Sequence, residues 1–337
     1  MRCSRHEIVS LIEGRTADLL AAADAARRAC CGDAVHLRGI IEFSNVCARN
    51  CAYCGLRREN DELTRYTMSA EEILRVVAEA EREEVRTIVL QSGESDACRP
   101  EWLAQLVAAV KHRFDVAITL CVGEKSPECY RAWRQAGADR YLLKHETANP
   151  TLYAGLHPDS RLQERLAALG CLRSLGYQIG TGNIIGLPGQ KSADLADDVL
   201  LARKLDVDMA AFGPLVPHPG TPLGNAPAAD IDASLRVLAV ARLVLGPVHI
   251  PATTAFDALA PDGRQRALQA GANVIMANLT PHEYRNLYEV YPHRRAANSL
   301  PRTKAILTRL GRPLAADYGH SLKPTPEAKP CCAPPKA

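Results

Sequence analysis

The segment IIEFSNVCARNCAYC (residues 40–54) joins an apolar, strand-like run to three closely spaced cysteines. Cys47, Cys51 and Cys54 are separated by three and then two residues, so one short loop can turn all three thiolates toward a single small inorganic group. Structural zinc prefers four ligands in a tetrahedron, and most iron–sulfur clusters take four cysteines. Three cysteines therefore favour a cluster with one iron left open. A zinc site completed by a distant histidine, or three unrelated buried cysteines, are the alternatives.

The composition narrows the class of protein. With 337 residues, of which 47% are hydrophobic, the chain can bury one barrel-sized core or two ordinary domains. The net charge of +3 comes from interspersed acids and bases, which argues against a nucleic-acid interface, and no apolar run reaches the roughly 18 residues of a membrane span. The N-terminus lacks a signal-peptide core, and twelve cysteines favour metal chemistry in a reducing compartment. We therefore expect a cytoplasmic, oxygen-sensitive protein.

The order of secondary-structure signals predicts the fold. Eight β-rich runs are predicted strands: 38–44, 86–91, 115–121, 140–145, 177–183, 208–214, 247–252 and 272–277. Amphipathic segments between them are predicted helices: 69–84, 100–112, 127–136, 161–175, 192–205, 231–245 and 263–270. Alternating strands and helices form parallel βαβ units, so we predict an α/β fold, a complete (β/α)8 TIM-type barrel with extra N- and C-terminal helices. An open barrel of six units with appendages is the alternative.

The same pattern predicts how the chain is divided. The predicted regions are an N-terminal helical extension (1–37, with a helix over 6–29), the barrel (38–290), a C-terminal helical segment (291–320) and a tail (321–337). Two further helices, over 282–290 and 300–311, would pack after the barrel. The tail is rich in Pro, Lys and Ala and is predicted to be disordered.

Polar residues and glycines follow the predicted strands, at the end where barrels of this kind carry their chemistry. Gly93 lets the backbone approach a ligand closely, and a plain turn is the alternative. A carboxylate at Glu146 needs a cationic or hydroxyl partner, because an isolated buried charge is expensive. Thr253 and Thr254 present paired hydroxyls that suit an anionic substrate carboxylate. Cys121 can equally be a small buried apolar residue.

The cysteine spacing, with Tyr53 just before the third cysteine, resembles that of the radical S-adenosylmethionine (SAM) superfamily. The longer text IEFSNVCARNCAYCGLRREN (residues 41–60) is similar to the [FeFe]-hydrogenase maturase HydE family, in the biotin synthase-like branch, and the likeness runs from about residue 38 to about 290. The resemblance implies one 4Fe-4S cluster on the three cysteines, with an open iron that binds SAM. It also implies an enzyme that cleaves SAM reductively to methionine and a 5′-deoxyadenosyl radical.

The resemblance further implies two sets of binding residues. The implied SAM contacts are Tyr53, Gln91, Ser92, Gly93, Glu94, Glu146, Arg165, Ile184 and Ile185. The implied substrate contacts are Thr119, Lys144, Thr253, Thr254 and Tyr284. Lys144 stands where arginine is expected in the family, and lysine keeps the charge but loses the bidentate grip on a carboxylate. Arg165 would meet the methionine carboxylate of SAM, and a solvated arginine on a helix face is its alternative.

The family likeness also implies a substrate and partners. The substrate would be a cysteine-ligated iron carbonyl cyanide precursor, which the radical attacks during assembly of the hydrogenase H-cluster. The implied partners are the maturases HydG and HydF and an electron donor of ferredoxin or flavodoxin type. A biotin synthase-like or methylornithine-synthase-like enzyme acting on an amino acid, and an iron–sulfur electron carrier, are the alternatives. A second cluster is predicted to be absent, because residues 291–312 contain no cysteine and Cys331 and Cys332 supply only two thiols.

Overall fold

Eight parallel strands make up the centre of the computed structural model, which describes residues 3–14, 16–95, 99–292 and 299–323. The strands are β1 (His36–Ser44), β2 (Thr87–Ser92), β3 (Ala117–Cys121), β4 (Arg140–Leu142), β5 (Gln178–Ile185), β6 (Met209–Pro214), β7 (Pro251–Ala252) and β8 (Val274–Asn278). Their order in the sheet is β6-β5-β4-β3-β2-β1-β8-β7. Every predicted strand is therefore present, and successive strands are joined by crossovers typical of βαβ units.

The sheet closes into a barrel between β6 and β7. Met209 and His249 form a parallel bridge there. Ala210 N donates to His249 O at 2.8 Å, and His249 N donates to Asp208 O at 3.0 Å. The (β/α)8 prediction is thus confirmed, and the six-unit alternative is wrong. β7 is much shorter than predicted, because Pro251 has no N–H to donate to a neighbouring strand.

Thirteen helices are found in the described parts of the chain. They are α1 (Arg5–Glu13), α2 (Thr16–Cys31), α3 (Ala70–Arg82), α4 (Pro100–Arg113), α5 (Pro127–Gln135), α6 (Pro150–Leu156), α7 (Leu162–Ser174), α8 (Ser192–Lys204), α9 (Ile231–Leu245), α10 (Ala255–Leu259), α11 (Gly263–Gln269), α12 (His282–Arg285) and α13 (Leu300–Leu310). Among the described residues, none of these helices combines the length and the apolar character needed to cross a membrane.

Two predicted helices differ from the structure, and two further helices were not predicted. The single helix expected over 6–29 is two helices, because α1 stops where Gly14 adopts an extended conformation. The helix expected over 282–290 ends at Arg285. α6 and α10 were not predicted, since each is too short to show the apolar periodicity of a longer helix.

The barrel separates an apolar shell from a polar interior. All nine residues of β1 are buried, and their side chains alternate between the two faces. Ile41 and Phe43 pack in the main hydrophobic core between the sheet and the helices. Arg38 and Glu42, at the alternate positions, are buried on the other face. A buried charged side chain is stable only when it has hydrogen-bonding or oppositely charged partners. The charged side chains inside the barrel therefore need such partners.

Residues after α13 cover the N-terminal ends of the strands. Tyr318 O accepts hydrogen bonds from Thr87 Oγ1 at 2.8 Å and from Arg140 Nη2 at 2.6 Å. Ser321 Oγ donates to Asp208 Oδ1 at 2.6 Å, so the first residues of the predicted tail pack on the barrel. The remainder of the predicted tail, with Cys331 and Cys332, lies outside the described residues. The opposite end of the barrel carries the site.

Candidate active site

The cysteine loop follows β1 and is fastened to neighbouring elements through backbone hydrogen bonds. Ala48 N donates to Glu94 O at 2.7 Å, which links the loop to the segment after β2. Ala52 N donates to Leu156 O at 2.9 Å, which links it to the end of α6. The loop itself has no helix or strand, so these contacts fix the course of its backbone.

Gly93 packs directly against the cysteine loop. A Cβ atom at this position would lie 2.4 Å from Val46 O and 2.8 Å from the Cβ of Cys47. Both distances are shorter than any relaxed contact, so only glycine fits. Ser92 Oγ donates to Gly93 O at 2.8 Å. The plain-turn alternative is therefore wrong, and the close approach required here is to the loop that carries the thiols.

The three thiols of the loop lie close to one another. Cys47, Cys51 and Cys54 form no disulfide bonds, and each is partly exposed. Burial, followed by the charges of Cys54 and Cys47, raises the pKa of Cys51 well above its ordinary value. Within the described residues, no three His, Cys, Asp or Glu side chains are spaced to hold one metal ion. A cube-shaped cluster binds each cysteine through a separate iron, so the three thiols fit a cluster better than a single ion.

A cavity of about 200 Å³ opens beside this loop, at the C-terminal ends of the strands. It is lined by Ile40, Tyr53, Gln91, Leu142, Lys144, Ile184, Ala211, Gly213, Pro214, Leu215, Val216, Pro251, Thr253, Thr254, Ala255, Met276, Val290 and Tyr291. Six of the predicted binding residues are in this lining: Tyr53, Gln91, Lys144, Ile184, Thr253 and Thr254. The wall is mostly apolar with a few convergent polar groups, as is usual for a small-molecule site.

Glu146 is buried beside the cavity and is paired by the protein itself. Lys144 Nζ lies 2.8 Å from its Oε2, and the Tyr53 hydroxyl donates to its Oε1 at 3.1 Å. Burial alone would raise the pKa of Glu146, but the charge and hydrogen bond of Lys144, together with the charges of His157 and Arg165, lower that pKa below its ordinary value. The carboxylate is thus ionised without a bound ligand as its partner. Its backbone has a φ of 63°, a conformation that residues other than glycine seldom adopt.

Arg165, on α7, is buried in an ion pair. Its side chain is only 8% exposed, so the solvated helix-face alternative is wrong. Its Nε lies 2.6 Å from Glu124 Oε1 and 3.2 Å from the Tyr153 hydroxyl. Burial lowers the pKa of Arg165, but Glu124 and Tyr153 outweigh burial and raise that pKa further above its ordinary value. A fixed, permanently charged guanidinium therefore faces the region of the cysteine loop.

The Glu94 side chain bonds to the cysteine loop and to the segment after β3. Arg49 Nε lies 2.5 Å from its Oε1, and Glu124 N donates to its Oε2 at 2.9 Å. Both carboxylate oxygens are therefore bonded to the protein. This carboxylate therefore links the cysteine loop to the segment after β3. Contact of the Gly93–Glu94 segment with SAM stays a prediction.

The sequence of this chain is similar to those of known proteins. Residues 41–202 match the radical SAM superfamily. The [FeFe] hydrogenase maturase subunit HydE of Thermotoga maritima is 46% identical over 302 residues, which cover 88% of this chain and 86% of that protein. The chain belongs to the HydE family. Membership makes it a radical SAM enzyme, and the family implies a 4Fe-4S cluster and SAM as cofactors.

More distant relatives share part of the sequence or the fold. The biotin synthase of Rippkaea orientalis is 29% identical over 82% of this chain and 78% of its own length. The crystal structure of methylornithine synthase (PylB) superposes with a TM-score of 0.84 at 23% identity and covers 94% of this chain and 95% of that one. At that identity the likeness of PylB shows the shared fold alone.

Eight of the fourteen predicted binding residues are not in the lining of the large cavity of this HydE-family chain. Five of them lie near the cysteine loop, and the other three are Thr119, Ile185 and Tyr284. Thr119 is buried on β3 and lines a smaller, separate cavity together with Arg38 and Arg140. Ile185 packs in the main core, because the side chain that follows Ile184 along β5 points to the opposite face. Tyr284 donates from its hydroxyl to Glu72 Oε1 at 2.7 Å, on the outside of the barrel. The structure therefore places Ile185 and Tyr284 away from the large cavity, and a role for them in binding stays a prediction.

Other residues of the site were missed by the sequence analysis. His157 Nδ1 lies 3.4 Å from Cys51 Sγ. Tyr288 accepts a hydrogen bond from Gln91 Nε2 at 3.2 Å, and Tyr291 bonds to Thr254 through the two hydroxyls. The two tyrosines follow the last strand closely, and this position predicts a location at the C-terminal end of the barrel. His157 precedes a proline, and this pattern predicts that the helix ends and the chain turns there.

Proposed function

We propose that this chain acts in assembly of the [FeFe]-hydrogenase H-cluster, on a cysteine-ligated iron carbonyl cyanide precursor. The observation that carries the proposal is the 46% identity to the Thermotoga maritima maturase subunit over 88% of the chain. The geometry is compatible with it, because the cysteine loop and the cavity lie at the same end of the barrel, where such enzymes place their chemistry.

In this proposal, Cys47, Cys51 and Cys54 would hold one 4Fe-4S cluster, and Glu146 would contact SAM. When bound, the cluster would supply the electron for reductive cleavage of SAM to methionine and a 5′-deoxyadenosyl radical. Glu146 is ionised by its Lys144 partner and can accept hydrogen bonds from the amino or ribose groups of SAM. Arg165 supplies the cation for the methionine carboxylate. A ferredoxin- or flavodoxin-type protein would donate the electron.

The protein side chains would bind and orient the substrate in the remainder of the cavity. Lys144 and Thr254 line it, and Thr253 Oγ1 is buried without a hydrogen-bond partner in the part of the chain that the structure describes. A buried hydroxyl without a hydrogen-bond partner costs folding free energy. An anionic substrate group that accepts a hydrogen bond from Thr253 would remove this cost and would itself be held in place. Apolar residues such as Leu142 and Met276 complete the wall and exclude water from the radical.

The proposed function also includes partner proteins, the number of clusters and a cellular location. HydG would deliver the substrate, and HydF would receive the product. The enzyme would carry a single cluster, because the sequence segment 291–312 offers no cysteine for a second one. We place it in the cytoplasm, with residues 38–290 as the catalytic barrel between the helical extension (1–37) and the C-terminal segment (291–320).

The test is substrate-dependent cleavage of SAM. The full chain is reconstituted without oxygen and reduced with SAM, and 5′-deoxyadenosine is measured with a synthetic cysteine-ligated iron carbonyl cyanide complex and with cysteine alone. We expect strong stimulation by the complex, adenosyl attached to sulfur, and weaker stimulation in a Thr253→Val variant, which removes only the hydroxyl. Cleavage that the complex does not change would contradict the proposed substrate. Stimulation by free amino acids instead would favour a methylornithine-synthase-like or biotin synthase-like activity.

A further inference from the structure

His157 is the residue that joins α6 to the cysteine loop. The helix ends at Leu156, whose carbonyl accepts the hydrogen bond from Ala52 N at 2.9 Å. The next residue, His157, donates its own N–H back to Tyr153 O at 2.9 Å. These two bonds fix the backbone on both sides of the contact. The imidazole Nδ1 then lies 3.4 Å from Cys51 Sγ.

The imidazole ring is held rigidly in this position. It stacks on the ring of Tyr153, with centroids 4.6 Å apart and planes 25° apart. The ring of Tyr53 meets it edge-on at 5.6 Å. His157 is buried, and its Nε2 has no hydrogen-bond partner among the described residues. The one polar contact recorded for the ring in the described chain is therefore the one to the sulfur.

The chemistry of the sulfur decides the direction of this hydrogen bond. A cysteine that binds iron does so as a thiolate, which has no proton and can only accept. The contact is attractive only when Nδ1 carries the proton and donates it toward Cys51 Sγ. We assign that tautomer from the bonding pattern, because hydrogen positions follow from the partners available.

We propose that His157 donates an Nδ1–H hydrogen bond to Cys51 Sγ and thereby raises the reduction potential of the cluster. The proposal rests on the proposed binding of the cluster by Cys47, Cys51 and Cys54. Reduction adds negative charge to the cluster and its sulfur ligands, and an N–H directed at a ligand sulfur stabilises the more negative state. His157 is thus a positioning and tuning residue that acts through Cys51.

A second histidine beside the loop provides a matched control. The ring of His218 packs against Gly55, because a Cβ at Gly55 would lie 2.6 Å from His218 Nε2. The His218 Nδ1 instead accepts a hydrogen bond from Gly220 N at 3.1 Å, and its Nε2 lies 3.9 Å from Glu289 Oε2. His218 therefore shares the location and the residue type of His157, but its ring nitrogens bond elsewhere.

The experiment is a redox titration of the reconstituted full chain, without SAM, in which the reduced cluster is followed by electron paramagnetic resonance (EPR). In His157→Leu, we expect the ratio of reduced to oxidised cluster at a fixed potential to fall about tenfold, equivalent to a shift of about 59 mV for one electron. His157→Asn should stay near the wild type, because its amide nitrogen takes the place of Nδ1 and still donates. His218→Leu should leave the potential unchanged.

Three results would overturn this inference. An unchanged potential in His157→Leu excludes a hydrogen bond that tunes the cluster. If the reduction potential falls equally in His157→Leu and His157→Asn, the effect comes from packing and not from the hydrogen-bond donor. If His157→Leu takes up no cluster, wild-type protein labelled with ¹⁵N-histidine is measured by electron-nuclear double resonance, and absence of a histidine nitrogen coupling overturns the proposal. A wild type that takes up no cluster would instead contradict the proposed function.

Discussion

Replacement of Arg165 by glutamate is expected to weaken SAM binding at least about a hundredfold. The Arg165 Nε lies 2.6 Å from Glu124 Oε1 in a buried site, so the variant would place two carboxylates together and remove the proposed cation for SAM. Loss of one partner of a buried, hydrogen-bonded charge pair costs roughly 2–5 kcal/mol of binding free energy. About 2.8 kcal/mol corresponds to a hundredfold change in affinity. The measurement is the dissociation constant of SAM for the protein with its cluster reconstituted.

Two further variants separate loss of binding from loss of folding. Arg161→Glu makes the same charge change at an exposed residue just before α7, and it should bind SAM as the wild type does. Arg165→Met removes the cation without adding a carboxylate, and it should bind SAM weakly while still taking up iron. Normal SAM affinity in a folded Arg165→Met variant would exclude Arg165 from the SAM site.

Replacement of Cys54 by serine is expected to remove nearly all of the iron, which should be about four atoms per chain in the wild type. Cys54 is partly exposed, and its charge contributes to the raised pKa of Cys51, so the two thiols are close neighbours. The thiolate is the metal ligand, and a serine hydroxyl does not ionise at neutral pH to replace it. The measurement is iron and sulfide content after anaerobic reconstitution.

Cys171→Ser is the matched control for the loss of iron. Cys171 is also half-buried, but it lies on α7, outside the barrel. This variant should retain the full iron content and cleave SAM at the wild-type rate. A Cys54→Ser variant that keeps its iron and still cleaves SAM would exclude Cys54 as a ligand.

Local sequence was sufficient to predict the barrel and the cysteine loop. Each strand is an apolar run between polar turns, and the order of strands and helices leaves one common architecture. The residues that directly follow strands, such as Lys144 and Thr253, reach the cavity because the barrel brings all the strand ends to one rim. Their location follows from the barrel fold itself and does not depend on particular contacts between side chains that are far apart in the sequence.

Contacts between distant parts of the chain could not be predicted from local sequence. Glu94 is bonded to Arg49, 45 residues earlier, and nothing local in either segment indicates this pair. Three tyrosines, Tyr284, Tyr288 and Tyr291, follow the last strand. α12 has only four residues, so helical periodicity does not show which tyrosine faces the cavity. Tyr291 lines it, whereas Tyr284 stacks on Tyr66 at 4.8 Å.

The most direct test of the account is EPR of the reduced wild-type protein with and without SAM. The account predicts one cluster signal whose shape changes when SAM binds the open iron, followed by formation of 5′-deoxyadenosine. The change in the signal should be lost in Arg165→Met. A signal that SAM leaves unchanged, with no 5′-deoxyadenosine formed, would contradict the placement of a SAM-binding cluster on Cys47, Cys51 and Cys54.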